Sequence, residues 1–267
     1  MKNNNAINLS WWIKQKGENF GDALNPILAK CISGKGINLV EVGDPSSTPR
    51  YYCIGSILQS SMSTESEIWG TGLMRHESQL KVIPKKIYAV RGPLTRKSLI
   101  EQGIDCPEVY GDPALLYSRF YNPIIDKKYK WGIIPHYVDQ NVEWLDKFRN
   151  RQDVKIINIL DHPNKVIDDI KSCEKIISSA LHGIIAADSY GIPSKWIKLS
   201  DKVAGDGFKF RDYFASVKRT DIEPLYLNPE LKTADSILKS IEKQFISYKI
   251  DIDLDLLYSV CPFKNKK

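Results

Sequence analysis

The sequence predicts an α/β fold, and three observations carry the prediction. Short β-branched and aromatic runs alternate with stretches of helical spacing along most of the chain. Several strand-like runs end on a glycine or polar residue directly before a helix-like stretch, as in "YAVRGPLTRKSL" and "IISSALHGIIAADSY". The bulk composition, 42% hydrophobic and 26% charged over 267 residues, suits a soluble globular protein with a sizeable core.

Taken in order, "NLSWWI" reads as a strand and "GDALNPILAKCIS" as the helix after it. Strand-like "YYCIGS", "EIWGTG", "KIYAVR" and "PEVYG" follow. A helix, "PLTRKSLIEQG", fits between the last two, with Pro93 in its first turn and Gly103 after its end. A second series begins near Lys130: strand "KWGIIPHYV", helix "NVEWLDKFRN", strand "VKIINIL", helix "NKVIDDIKSC", strand "KIISS", helix "HGIIAADSY" and strand "SKWIKL". Gly191 stops the last of these helices. The locally charged stretch 118–130 is the best linker candidate. Ile237, Leu238, Ile241 and Phe245 recur at helical spacing and predict one or two amphipathic helices within 228–251. The preferred architecture is two Rossmann-like domains facing a cleft, residues 1–120 and 121–227, with C-terminal helices over 228–267 packing back on them. A single larger doubly wound domain is the alternative.

Lys+Arg of 38 against Asp+Glu of 32 leaves +6, spread along the chain. That excess suits anionic small molecules or a membrane surface better than nucleic acid, for which no signature is present. Five cysteines without C-x-x-C spacing argue against a disulfide framework or zinc site and for a reducing cytosol. The opening "MKNNNAINLSWWIKQ" has neither an uninterrupted apolar region nor a small-residue cleavage site, so no signal peptide is expected. No run reaches the ~20 apolar residues of a membrane span. A cytoplasmic location is expected, and peripheral association with the inner face of a membrane stays open.

Polar residues collect where predicted strands end, the edge at which open α/β sheets bind ligands. "NFGDALNP" puts Asn19, Gly21 and Asp22 at a strand-to-helix turn, where they either offer N–H groups to an anion or cap the helix. Arg91 ends an apolar strand, Gly92 turns the chain and Pro93 starts the helix. An arginine there has the wrong sign for the helix dipole unless an anion, or a nearby acid such as Asp112, lies between them. Asp112 itself follows Gly111 and is a general base, an orienting partner for Arg91 or a histidine, or a plain turn carboxylate. His136 follows an apolar strand and is either a cleft residue or an exposed loop histidine. His182 has the best context: it follows Ser178 and Ser179, precedes Gly183 and opens an apolar helix. A helix N-terminus favours a neutral imidazole, which beside an anion carries a proton; a core histidine bound to a carbonyl is the bland alternative. The histidines His76, His136, His162 and His182 lack metal-ligand spacing, so no metal is expected. There is no G-x-G-x-x-G after a strand, no Walker A motif and no G-x-S-x-G elbow, which removes support for NAD, ATP and a serine nucleophile of that type.

The ordered set "NFGDALNP", "YCIGSIL", "IWGTG", "YAVRGPLTRKSL", "YGDPALLY", "IPHY", "ISSALHGIIAADSYGIP" and "FKFRDYF" resembles the polysaccharide pyruvyl transferase family and spans 19–214. The resemblance implies a GT-B-like fold and transfer of pyruvate from phosphoenolpyruvate onto two hydroxyls of a sugar as a cyclic ketal, releasing phosphate. It implies no cofactor beyond phosphoenolpyruvate as donor substrate. The acceptor would be a sugar of a capsule, exopolysaccharide or cell-wall precursor, including a lipid-linked oligosaccharide. Arg91 would bind the donor's phosphate or carboxylate, and His182 would bind it and protonate its C3 or the departing phosphate. Asp22 or Asp112 would accept hydroxyl protons. Asn19, Gly21, Gly92, His136, Ser179, Leu181, Gly183 and Lys209 would line the substrate site. Lys209 and Arg211 of "FKFRD" are either anion partners or charges on a helix surface. Two competing functions remain: a GT-B nucleotide-sugar glycosyltransferase, and a non-catalytic protein that binds an anion or sugar.

Overall fold

Parallel strands fall into two sheets in the computed structural model, which describes residues 6–13, 19–44, 46–60, 62–228, 230–246 and 248–265. Residues 1–5 and 14–18, part of the stretch assessed above for a signal peptide, lie outside the described residues. The first sheet contains β1 (Ile7–Ser10), β2 (Ile37–Leu39), β3 (Arg50–Tyr52), β4 (Ser66–Trp69) and β5 (Lys86–Ala89), in the order β2-β1-β3-β4-β5. The second contains β6 (Tyr129–Ile134), β7 (Val154–Ile156), β8 (Cys173–Ser178) and β9 (Ser194–Trp196), in the order β7-β6-β8-β9. All pairings within both sheets are parallel. The chain winds outward in both directions from β1 and from β6. Each sheet therefore has a switch point, between β1 and β3 and between β6 and β8, and such points open crevices at the carboxyl ends of strands.

The helices are α1 (Phe20–Ser33), α2 (Pro93–Glu101), α3 (Pro163–Lys171), α4 (Leu181–Ser189), α5 (Phe208–Ser216), α6 (Ala234–Gln244) and α7 (Leu254–Ser259). Asn19 caps α1: its Oδ1 accepts from the N–H of Gly21 at 3.1 Å and of Asp22 at 3.4 Å, and Gly34 closes the helix in a left-handed conformation at φ 67°. Pro26, inside α1, cannot donate to the Asp22 carbonyl. The Asn25 side chain does so instead at 3.4 Å, and it also bonds the Ile54 backbone in both directions, tying α1 to the segment leaving β3.

One buried cluster runs through both sheets, from Leu9 and Trp69 to Ile134 and Ile184. Backbone joins the halves as well, since the Phe20 N–H donates to the Ile159 carbonyl at 2.9 Å. The end of the chain divides its packing. Ile237, Leu238 and Ile241 of α6 pack with Trp131 and Ile177 of the second sheet. Beyond α6, Leu257 of α7 accepts a 2.9 Å bond from the Trp69 indole, and Phe263 meets the rings of Tyr51 and Trp69 edge-on.

Some local expectations fail. "PEVYG" forms only a Val90–Tyr110 bridge, as Pro107 has no N–H for a ladder. "NVEWLDKFRN" yields only a 3₁₀ segment, Glu143–Lys147, with no side chain capping its first turn. β2 and the 3₁₀ segment Pro113–Arg119 are elements that strand and helix patterning did not identify. Among the described residues no helix is long and apolar enough to cross a membrane.

Candidate functional site

The carboxyl edges of both sheets open onto one cavity of about 410 Å³. Trp12 enters it after β1, Gly55, Ser56 and Ile57 after β3, and Met74 after β4. From the second sheet come His136 and Tyr137 after β6, Ile159 after β7, and Ala180, Leu181 and His182 after β8. Asn19 and Asp22 from the start of α1, Lys202 and Ala204 beyond β9, and Lys209 of α5 complete the wall. The cavity thus occupies both switch points at once, as ligand sites in open α/β sheets do.

His182 and Asp112 form the chemical centre. The Asp112 carboxylate, wholly buried, follows Gly111 and caps the Pro113–Arg119 segment: its Oδ1 accepts from the Ala114 N–H at 3.0 Å. Its Oδ2 lies 3.4 Å from His182 Nε2. Both atoms are buried, and neither has a conventional hydrogen bond among the described residues, so the two face each other at the long end of hydrogen-bonding range. His182 stands on the first turn of α4, whose leading N–H groups have no acceptor within the helix. Its ring lies over Gly21, where an added Cβ would come within 2.2 Å of Nδ1. Gly21 is glycine because the imidazole needs that space.

Two further glycines and a serine placed in the substrate site by sequence have packing duties instead. A Cβ on Gly92 would meet the Asp212 carbonyl oxygen at 2.0 Å, and one on Gly183 would meet Ser178 Oγ at 2.5 Å. The Gly183 N–H is already donated to the Ala180 carbonyl at 3.0 Å, which removes it as an anion donor. Ser179 is buried, gives its hydroxyl proton to Asp139 at 2.7 Å and accepts from the His136 N–H at 2.8 Å. It positions the His136 turn rather than touching the cavity. Asp139, also buried, takes the Ser200 hydroxyl with its other oxygen, and so pins the turn carrying His136 and the loop carrying Lys202 to one carboxylate.

Arg91 needs the largest correction. It is wholly buried and is absent from the cavity wall. Its Nε donates to Asp212 at 2.9 Å, one terminal nitrogen to Ser56 Oγ and the other to the Leu73 carbonyl at 2.6 Å. Gly72 closes over it, where a Cβ would stand 2.6 Å from Cζ. Asp212 also accepts from the N–H and the hydroxyl of Thr95, at 2.8 and 2.7 Å. It therefore supplies the cap that Gly92 cannot give α2. Arg91 acts on the cavity through others, fixing Ser56 and, by way of Asp212, the helix that carries Lys209.

Lys209 reaches the cavity and is 7% exposed, so it is no surface charge. Arg211 faces outward and pairs with Glu223 at 2.7 Å. Asp22 lines the cavity and accepts from the Asn19 side chain, while Asn19 does the capping. Leu181 and His136 line the cavity. Trp12, Ser56, Tyr137, Lys202, Asp139 and Asp212 escaped sequence reasoning. Ser56 and Asp212 lie within "YCIGSIL" and "FKFRDYF", and their polar side chains amid apolar neighbours are the signal that was there. Cys53 adjoins the site, but burial, with the nearby Cys261 and Asp112, pushes its thiol well above the ordinary value and leaves it protonated.

A protein of Acanthamoeba polyphaga mimivirus, described as uncharacterized, is 34% identical over 216 residues, covering 75% of this chain and 71% of that protein. The profile of the polysaccharide pyruvyl transferases matches residues 68–201, a span holding Arg91, Asp112, His136 and His182. The chain belongs to the polysaccharide pyruvyl transferase family.

Proposed function

We propose that the protein moves the pyruvyl group of phosphoenolpyruvate onto two hydroxyls of a sugar, within a polysaccharide or lipid-linked oligosaccharide precursor, and releases phosphate. The observation that carries this is His182, backed by the buried Asp112, in the wall of a cavity that Lys209 also lines, in a chain of this family. Two parallel sheets sharing one cavity suit a GT-B-like arrangement of two halves around a cleft.

A small dianion at this cavity would meet Lys209, Lys202 and the first-turn end of α4 at Leu181 and His182, all of which favour negative charge. His182, beside Asp112, gives a proton to C3 of the enol phosphate, and the new methyl leaves C2 electron-poor. A sugar hydroxyl oxygen bonds to C2 as its proton returns to His182, directly or by way of Asp22. The C2–O bond to phosphate then breaks, and the second hydroxyl closes the ketal as its proton leaves with the phosphate. Each turnover so returns the imidazole to its starting state. Arg91 contributes by holding Ser56 and α5 in place.

The test is phosphate release from phosphoenolpyruvate in the presence of methyl pyranosides, alongside thermal stabilisation by phosphoenolpyruvate, UDP, GDP and inorganic phosphate. The expected result is stabilisation by phosphoenolpyruvate and phosphate release that His182→Ala lowers by about 10²–10⁴-fold. Stabilisation by UDP but not by phosphoenolpyruvate would support nucleotide-sugar chemistry. Donor binding with no phosphate released for any acceptor would leave a binding protein.

A further inference from the structure

We infer that the cavity contains a pyranose subsite in which the rings of Trp12 and Tyr137 receive the C–H face of the acceptor sugar. The inference rests on the pyruvyl-transfer proposal for what the sugar does there, and on the cavity wall alone for its binding.

Exposure divides the cavity wall. Lys209 is 7% exposed and the His182 side chain 15%, so these two lie deep, while Lys202 stands at the exposed side of the wall. Trp12 is 46% exposed, although its neighbour Trp11 is only 7% exposed and belongs to the core. The chain thus buries one indole of the pair and leaves the other open at the mouth of the cavity that His182 lines. Tyr137 comes from the second sheet, with its ring centroid 4.2 Å from that of His136 and tilted by 36°. The two aromatic residues leave the two sheets at the β1 and β6 switch points, one from each side of the cavity.

Aromatic faces carry the negative part of a quadrupole. The C–H groups of a pyranose, polarised by neighbouring oxygens, pack flat on such a face with their hydroxyls directed outward at the rim. A phosphate or carboxylate is repelled from the same face and goes to the cations instead. At about 410 Å³ the cavity holds more than a three-carbon phosphate needs. A sugar seated against Trp12 and Tyr137 would bring its hydroxyls to the donor carbon beside His182. Asp22, in the same wall, is placed to take a hydroxyl proton.

Saturation-transfer NMR with methyl β-galactopyranoside and methyl β-glucopyranoside tests the subsite, with stabilisation by phosphoenolpyruvate measured on the same samples. Transfer to carbon-bound sugar protons is expected in the wild type, and binding about three- to tenfold weaker in Trp12→Ala and in Tyr137→Ala. Trp12→Phe, which keeps a ring, is expected to recover most of it. Equal transfer in all variants, or none from either pyranoside in the wild type, overturns the subsite. Transfer to UDP without transfer to the sugars also overturns it, because the rings then serve a nucleobase. Failure of phosphoenolpyruvate to stabilise the wild type counts against the donor proposal and leaves the sugar result standing.

Discussion

Replacing Gly21 by alanine probes the candidate site with a single methyl group. The added carbon would sit 2.2 Å from His182 Nδ1 and 2.3 Å from Cε1, where ordinary contact begins near 3.4 Å. The ring must therefore retreat by more than an ångström, and the direction away from Gly21 changes its 3.4 Å approach to Asp112. A misplacement of that size costs about 10²-fold in rate when the moved group transfers the proton. The fold should barely register the change. Alanine is favoured over glycine in a helix by about 1 kcal/mol, which offsets much of the roughly 1–3 kcal/mol of overpacking. Phosphate release and thermal melting on the same preparation separate the two effects. Expected are a Tm within a few degrees of wild type and a kcat lowered by about two orders of magnitude. In a His182→Ala background the Gly21→Ala change should have no further effect on rate. A Gly21→Ala enzyme within threefold of wild type would refute the claim that His182 works from this position.

Asp212→Ala strands the buried Arg91 charge and uncaps α2, a loss of about 3–5 kcal/mol, and a Tm drop on the order of 10 °C in thermal melting checks it. Thiol titration should find one accessible cysteine, the exposed Cys31, in the native protein and five in denaturant, although partial burial raises the Cys31 thiol too. Burial pushes Cys106 and Cys261 up to about 12 and Cys173 to about 11, so at neutral pH their thiolates are scarce as well as covered. Burial alone would raise Asp221, but Arg219 and Lys195 outweigh it and hold the carboxyl below its ordinary value. A depressed carboxylate stabilises the fold above the unfolded value, near ~4, and that contribution is lost as pH falls through the folded one. Melting temperature should decline in acid below about 4, and Asp221→Asn should lower Tm at pH 7 while shrinking the acid decline. An unchanged Tm at pH 7 would contradict the assignment.

The alternation of strands and helices was legible because each strand here is a short apolar run followed by a turn signal, and His182 was found from that local context alone. Its partner was not assigned with equal force, since Asp112 reaches it only through the packing of α4 on the Pro113–Arg119 segment. Arg91 shows how local logic can be right in form and wrong in supplier. The helix dipole does require negative charge beside the first turn of α2, and a carboxylate 121 residues further along the chain provides it, leaving no room for a ligand. The aromatic wall was invisible for another reason. Alternation through Ile7, Leu9 and Trp11 sets Trp11 with the apolar face and Trp12 opposite, but a lone outward indole carries no signal of its own, and only the fold brings it to one cavity with Tyr137.

The return of the chain end to the first sheet bears on how the protein comes into being. Trp69 finds its hydrogen-bond acceptor 188 residues later, on Leu257, and the ring that covers it, Phe263, follows still later. During synthesis the first sheet can pair its strands early, but its apolar face around Trp69 and Tyr51 stays uncovered until almost the whole chain has left the ribosome. Long-range closure of this kind slows folding and exposes apolar surface on the way. A nascent chain stalled before residue 254 should therefore remain protease-sensitive and bind holdase chaperones. The same chain released at full length should lose both properties together.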